Sequence, residues 1–301
     1  MTGSREPKTL TPVYGYPTDS FVVRLYDGRM TVSHEQFEAN GDGDILLELL
    51  PSPRVNFRMK VSEFTRLGDI PSWGGVTLSS PVRSCRAYME KVDLDGSVLL
   101  RGSLEDTGLR GEEPLQRLVF HLLNFPTNIA DPVDPQQTGA APGVITLEAG
   151  RWQVTLATLD SASDLRFRMT HLGELTRQDG GTFKLDDAWD VLSAIDTFLS
   201  FILGNHTSTC LQLTFDPAGV RSDGWDAPAP GSQTDALDGA PLTRGADSLN
   251  SLWAGFYRLW SSEGWQEALL DVIFWYVEQI AGSGRTPPWS LGRRPLSCSP
   301  G

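Results

Sequence analysis

The 301-residue chain is 40% hydrophobic and 21% charged, so it can bury a core and is not globally disordered; its length suits one large or two medium domains, two being the better fit. A formal net charge of −13 with no Lys/Arg run speaks against a polyanion such as sequence-specific DNA, and the scattered Arg54, Arg58 and Arg66 read as a solvated face. Cys85, Cys210 and Cys298 are too few and too far apart for a disulfide framework or a zinc site, the N-terminus lacks a signal-peptide core, and the most apolar stretches fall short of the ~20 residues of a membrane span. A soluble cytoplasmic protein is expected, with no membrane contact.

From Ser20 onward the chain reads as short runs alternating with a period of two. The first, Phe21 to Tyr26, is expected to enter a turn at Asp27-Gly28. Further strand-like runs follow at Asp44 to Leu50, Val55 to Val61, Val76 to Leu78, Arg83 to Val92 and Val98 to Leu104. Gly41-Asp42-Gly43, Pro51-Ser52-Pro53 and Asp95-Gly96 are read as the breaks between them. Strands at this spacing predict a sandwich or a barrel-like sheet. Glu113 to Asn124 fits a helix by the spacing of Leu115, Leu118, Val119, Leu122 and Leu123, but a strand at Leu118 to Leu123 fits as well. After a turn-rich loop at Pro126 to Gly143, strands are expected at Gly143 to Glu148, Trp152 to Leu159 and Leu165 to Leu175.

A helix is predicted from Asp186, taken as the N-cap, with Asp187 and Asp190 near the positive end of its dipole. Trp189, Leu192, Ile195, Leu199 and Ile202 recur at helical intervals, and Gly204-Asn205 supplies the stop. Cys210 to Phe215 reads as a strand, followed by a Pro/Gly/Asp-rich loop to Gly245. A helix from about Asp247-Ser248 carries Leu249, Leu252, Trp253, Phe256, Tyr257 and Trp260, and another spans Trp265 to Ile280. The latter is apolar around much of its circumference, which predicts burial by more than one neighbour. The tail after residue 281 has arginines and prolines without acidic residues, and reads either as disordered or as the product of a lost reading frame, leaving a truncated protein.

The expected class is therefore α+β: a β-rich domain over residues 1–180, a mainly helical, Trp-rich region over 181–281 and a distinct tail over 282–301.

Motifs for chemistry are sparse. There is no Gly-x-Ser-x-Gly elbow and no Gly-rich phosphate loop, so no cofactor is expected. Cys85 and Cys210 read as core fillers. His34, His121, His171 and His206 occur singly, so no metal site is expected from spacing. Gly41-Asp42-Gly43-Asp44 lacks the ligand series and closing Glu of a calcium loop. Asp186/Asp187 and Glu112/Glu113 are paired carboxylates of the kind sugar hydrolysis requires, although a helix cap accounts for the first pair. Trp253, Trp260, Trp265 and Trp275 could stack on a base or a sugar, but their helical spacing suits a core.

The run Ala194 to Gly204, the strand-like Cys210 to Phe215, Phe256-Tyr257-Arg258-Leu259-Trp260 and Trp275-Tyr276 resemble a pattern in bacterial proteins without an assigned function. Their layout, a β-rich half followed by a helical half, is similar to that of ApeA-type anti-phage proteins with a C-terminal HEPN domain. The resemblance spans about residues 185 to 280 and rests on apolar and aromatic residues. It implies an Arg-x4-6-His ribonuclease motif on a helix, working across a dimer. Arg166 and His171 have the right count, but Leu165 to His171 alternates like a strand upstream of the helical region. Three readings follow: a recognition or scaffold module with an unidentified ligand or protein partner, such as the sensor part of a defence protein lacking its effector; a ribonuclease using Arg166 and His171, with a possible homodimer; and a carbohydrate-binding β-sandwich using Trp73 and Trp152.

Overall fold

The computed structural model describes residues 10–15, 21–35, 37–66, 74–93, 97–105, 107–123, 125–126, 144–159, 169–228 and 246–281. Trp73, Asp95-Gly96, Arg166, Cys298, most of the Pro126 to Gly143 loop and the tail lie outside them.

Strands β1 (Val22–His34), β2 (Phe37–Glu48), β3 (Arg54–Arg66), β4 (Gly74–Ser79), β5 (Ser84–Asp93) and β6 (Leu99–Leu104) close into an antiparallel barrel in the order β1-β2-β3-β6-β5-β4. A second antiparallel sheet has the order β12-β11-β7-β10-β9-β8. It comprises β7 (Arg117–Leu123), β8 (Val144–Ala149), β9 (Trp152–Thr158), β10 (Met169–Arg177), β11 (Thr209–Phe215) and β12 (Arg221–Asp223). Helices α1 (Leu185–Leu203), α2 (Ala246–Trp260) and α3 (Trp265–Ala281) complete the α+β fold. The boundary expected near residue 180 falls between β10 and α1, inside the sheet-and-helix layer. No helix among the described residues is long and apolar enough to cross a membrane.

The expected turns at Asp27-Gly28 and Gly41-Asp42-Gly43 are corrected. β1 and β2 run straight through them as cross-strand partners, and the hairpin closes where His34 faces Phe37. The glycines serve a different purpose in this small barrel. A Cβ at Gly43 would stand 2.0 Å from the Arg58 carbonyl oxygen and 2.5 Å from Met30 Cε, so adjacent backbones approach more closely than a side chain allows.

The sheet explains the ambiguous Glu113 to Asn124 segment. Its ordered core is the strand β7, central in the sheet and covered on both faces. Leu118, Phe120 and Leu122 pack with the helices, whereas Val119 and Leu123 join the core of the barrel. Burial on both faces removes the alternation that identifies a half-buried strand. The outer strand β8 keeps its alternation, with Ile145, Leu147 and Ala149 turned to the helices.

The N-cap of α1 is Lys184, not Asp186. The Lys184 backbone N–H donates to Asp187 Oδ2 at 3.4 Å, so the carboxylate one residue further on tethers the helix start. Gly204 ends the helix in the left-handed conformation, φ 63°, with its N–H donating to the Ser200 carbonyl. α3 differs most from expectation. Ile273, Phe274 and Val277 are buried, while Val272 is 65%, Trp275 53% and Tyr276 41% exposed.

Candidate binding cleft at the start of α1

The β8–β9 hairpin turns at Gly150 (φ 58°) and carries Arg151 and Trp152 to the first turns of α1, where Tyr257 of α2 closes the side. Together with Asp186, Asp187 and Asp190 they line a cleft of about 440 Å³. Arg151 Nη2 lies 3.2 Å from Asp187 Oδ1, and its guanidinium stacks 4.9 Å from the centre of the Trp152 ring. Trp152 is 3% exposed and meets Phe183 edge-on at 5.2 Å, so it forms a floor under the guanidinium. Asp190 Oδ1 accepts bonds from Trp260 Nε1 at 3.2 Å and Gln266 Nε2 at 3.1 Å, which fixes the third carboxylate from α2 and the start of α3. Burial is the leading cause that raises the Tyr257 hydroxyl pKa, keeping that group a neutral donor.

Carboxylates at a helix N-terminus are favoured by the exposed N–H groups and the helix dipole. The cleft is thus rich in acceptors, with the Arg151 guanidinium and the Tyr257 phenol as donors beside the Trp152 indole, which is bonded to Tyr257. Such a wall suits a ligand with several hydroxyl or ammonium donors. Among the described residues, no group of three or more His, Cys, Asp or Glu is placed to hold a metal ion.

A second polar assembly lies where barrel and sheet meet. Leu211 has φ 48°, a left-handed conformation rare for a leucine, within a register shift of β11 against β7. His121 Nδ1 is 3.1 Å from the Leu211 carbonyl oxygen, and burial pushes the imidazole pKa down to about 4. A neutral ring with Nδ1–H donating to that carbonyl follows. Neighbouring Gln212 is 2% exposed and its Oε1 has no partner among the described residues. Arg83, from the β4–β5 turn, donates to the carbonyls of Thr107 at 2.7 Å, Gly108 at 2.5 Å and Asp223 at 2.6 Å. The barrel is thereby strapped to the β12 edge of the sheet. His121, Leu211 and Gln212 are buried and the Arg83 contacts part-buried, an arrangement that holds the joint.

Of the residues singled out in the sequence, the cleft unites Trp152 with Asp186, Asp187 and Asp190 and with Tyr257 from the apolar set of α2. Glu112 and Glu113 are exposed in the loop before β7 and are not among the cleft residues. His171 lies on β10, 1% exposed, with Nε2 3.2 Å from Thr158 Oγ1 and Phe125 edge-on at 4.9 Å. Its suggested partner Arg166 is outside the described residues. Trp253 and Trp260 are core residues, as their spacing implies, whereas Trp265 and Trp275 are 51% and 53% exposed. Cys85 and Cys210 are buried and not joined in a disulfide, and burial drives the Cys210 thiol pKa far upward, which removes it as a nucleophile. Nothing in the local sequence groups Arg151 and Tyr257 with α1, because only the hairpin and α2 bring them there. The same is true of His206 Nε2, 2.9 Å from the buried Glu278 Oε1, which joins the end of α1 to α3.

Barrel, two-faced sheet and helix layer, with an acceptor-rich cleft at a helix start, define an α+β protein. Residues 110–233 match the family model of the YopA central domain, a stretch that takes in the whole second sheet and α1 but neither the barrel nor α2 and α3. No curated protein and no solved structure matches the chain.

Proposed function

We propose that this chain is a recognition module that uses the cleft between the β8–β9 turn, α1 and α2 to bind a polar ligand rich in hydroxyl or ammonium donors. The observation that carries the reading is the convergence of Arg151, Trp152, Asp186, Asp187, Asp190 and Tyr257 on one cavity of about 440 Å³. Guanidinium, phenol and carboxylates are groups by which proteins hold sugars and amines, whereas Trp152, 3% exposed under Arg151, backs the guanidinium and offers no ring face to a ligand. In the setting implied by the resemblance to ApeA-type proteins, such a module is the ligand-sensing part of a bacterial defence protein. A ribonuclease using Arg166 and His171 is supported less, because a histidine 1% exposed between strands has to be uncovered before it meets a phosphodiester.

The test is calorimetric titration of the purified chain with a panel of oligosaccharides and polyamines. A saturable ligand is expected, bound roughly tenfold more weakly by Asp187→Asn and by Arg151→Ala, since each variant removes a charge-assisted contact. A panel without a binder, or a binder indifferent to both substitutions, would sink the cleft reading.

A further inference from the structure

α3 presents two apolar faces, and the fold uses one. Ile273, Phe274 and Val277 point inward, while Trp265, Val272, Trp275 and Tyr276, at helical spacing, are 51%, 65%, 53% and 41% exposed on the other side. Phe201 near the end of α1, 44% exposed, lies 5.7 Å from the Tyr276 ring and extends the same strip. Exposed aromatic and branched side chains in a continuous strip are characteristic of protein contact surfaces.

Charge around the strip narrows the occupant. Neither α1 nor α3 carries a basic residue in its last turn, so the negative ends of both helix dipoles lack a countercharge from their own helix beside Phe201 and Tyr276. Glu263, Glu267 and Asp271 are exposed along the α2–α3 turn and the flank of α3. The chain as a whole has a net charge of −13, which repels a second copy and an anionic lipid surface alike. We propose that the outer face of α3 docks a basic amphipathic helix of a protein partner. Its apolar side covers Val272, Trp275 and Tyr276, while its Lys or Arg side chains meet the acidic flank and the two helix ends. This docking surface is separate from the cleft and does not depend on what the cleft binds.

The experiment follows Trp fluorescence anisotropy and calorimetry as the full chain is titrated with a synthetic ~18-residue helix of Leu on one face and Lys on the other, a length that sustains an isolated helix. The expected result is saturable one-to-one binding that weakens with salt, is absent for the matching Leu/Glu helix, and is roughly tenfold weaker in Val272→Glu and in Trp275→Glu. Both sites are exposed, so the variants should keep the wild-type circular dichroism and thermal midpoint. The proposal is overturned if the Leu/Lys helix binds both variants as it binds wild type, if the Leu/Glu helix binds equally well, or if the chain partitions onto anionic vesicles through this face. It is also overturned if sedimentation shows a wild-type dimer that both variants dissolve, which would make a second copy the occupant.

Discussion

His121 is wholly buried and Asp196 half-buried, and desolvation acts on them in opposite directions. It lowers the His121 pKa to about 4, so the folded state resists protonation that the unfolded chain accepts near 6.5. Stability from this residue is complete above about pH 6.5 and is lost as pH falls through about 4. For Asp196, burial raises the pKa to about 8 despite the bonds it accepts from the Thr209 N–H, at 2.7 Å, and hydroxyl, at 3.4 Å. An unfolded Asp ionises near pH ~4, so its contribution is complete below that value and is lost as pH rises through about 8. Between about pH 4 and 6.5 the two slopes oppose each other; above 6.5, of these two only Asp196 still acts. The thermal midpoint of wild type should therefore decline from about pH 6.5 to 8, and Asp196→Asn, whose amide oxygen can still accept from Thr209, should flatten that decline. An unchanged profile in the variant would remove Asp196 as its source. Arg83 offers a second test at this scale. The carbonyls of Gly108, Asp223 and Thr107 lose the guanidinium in Arg83→Ala, with Thr107 keeping the Trp225 N–H, and urea unfolding should report a loss of about 3 kcal/mol.

At the level of elements, the barrel depends on close backbone approach at its glycines. Gly41 and Gly43 on β2 face β3 so tightly that a Cβ would stand 2.1 Å from the Lys60 carbonyl oxygen and 2.0 Å from that of Arg58. Gly43→Ala should cost about 2–4 kcal/mol in chemical denaturation, because β3 backbone, not a flexible side chain, has to move. A loss below about 0.5 kcal/mol, the ordinary range of a surface substitution, would show that the barrel relaxes freely. These glycines also account for the misread turns. In sequence, Asp-Gly and Gly-Asp-Gly have the composition of a hairpin loop, and only the pairing of Gly28 with Gly43 across β1 and β2 reveals strand interior. The α1 start was misplaced for a related reason. Asp186 and Asp187 are both good capping residues, and the choice depended on which carboxylate turns back to Lys184.

On the scale of the whole molecule, the sheet has two covered faces and neither belongs to it alone. Val119, Leu123, Leu172, Leu213 and Trp225 share a core with the barrel, and Leu118, Phe120, Ile145, Leu156 and Leu175 share one with the helices. Tyr14 adds a tie from the N-terminal segment, its hydroxyl 3.4 Å from Asp223 Oδ2 and its ring 5.6 Å from His121. A fragment starting after β6 would expose the barrel-facing half of that surface. It should bind a hydrophobic dye and lose the sharp unfolding of the full chain, which should melt as one transition. A fragment with a cooperative melt and no dye binding would show the barrel to be an independent domain.

The local sequence was sufficient for the β-rich beginning, the runs of β3 to β6, the β8 and β9 runs, the course of α1 with its Gly204 stop and the two later helices, but not for the extent of β1 and β2. Those features depend on period, caps and breakers, which operate over a few residues. Strand order, the double coverage of β7, the unused face of α3 and the meeting of Arg151, Trp152 and Tyr257 with three aspartates were decided by tertiary structure. Each depends on which distant segments become neighbours, and a run of side chains carries no record of what will cover its second face.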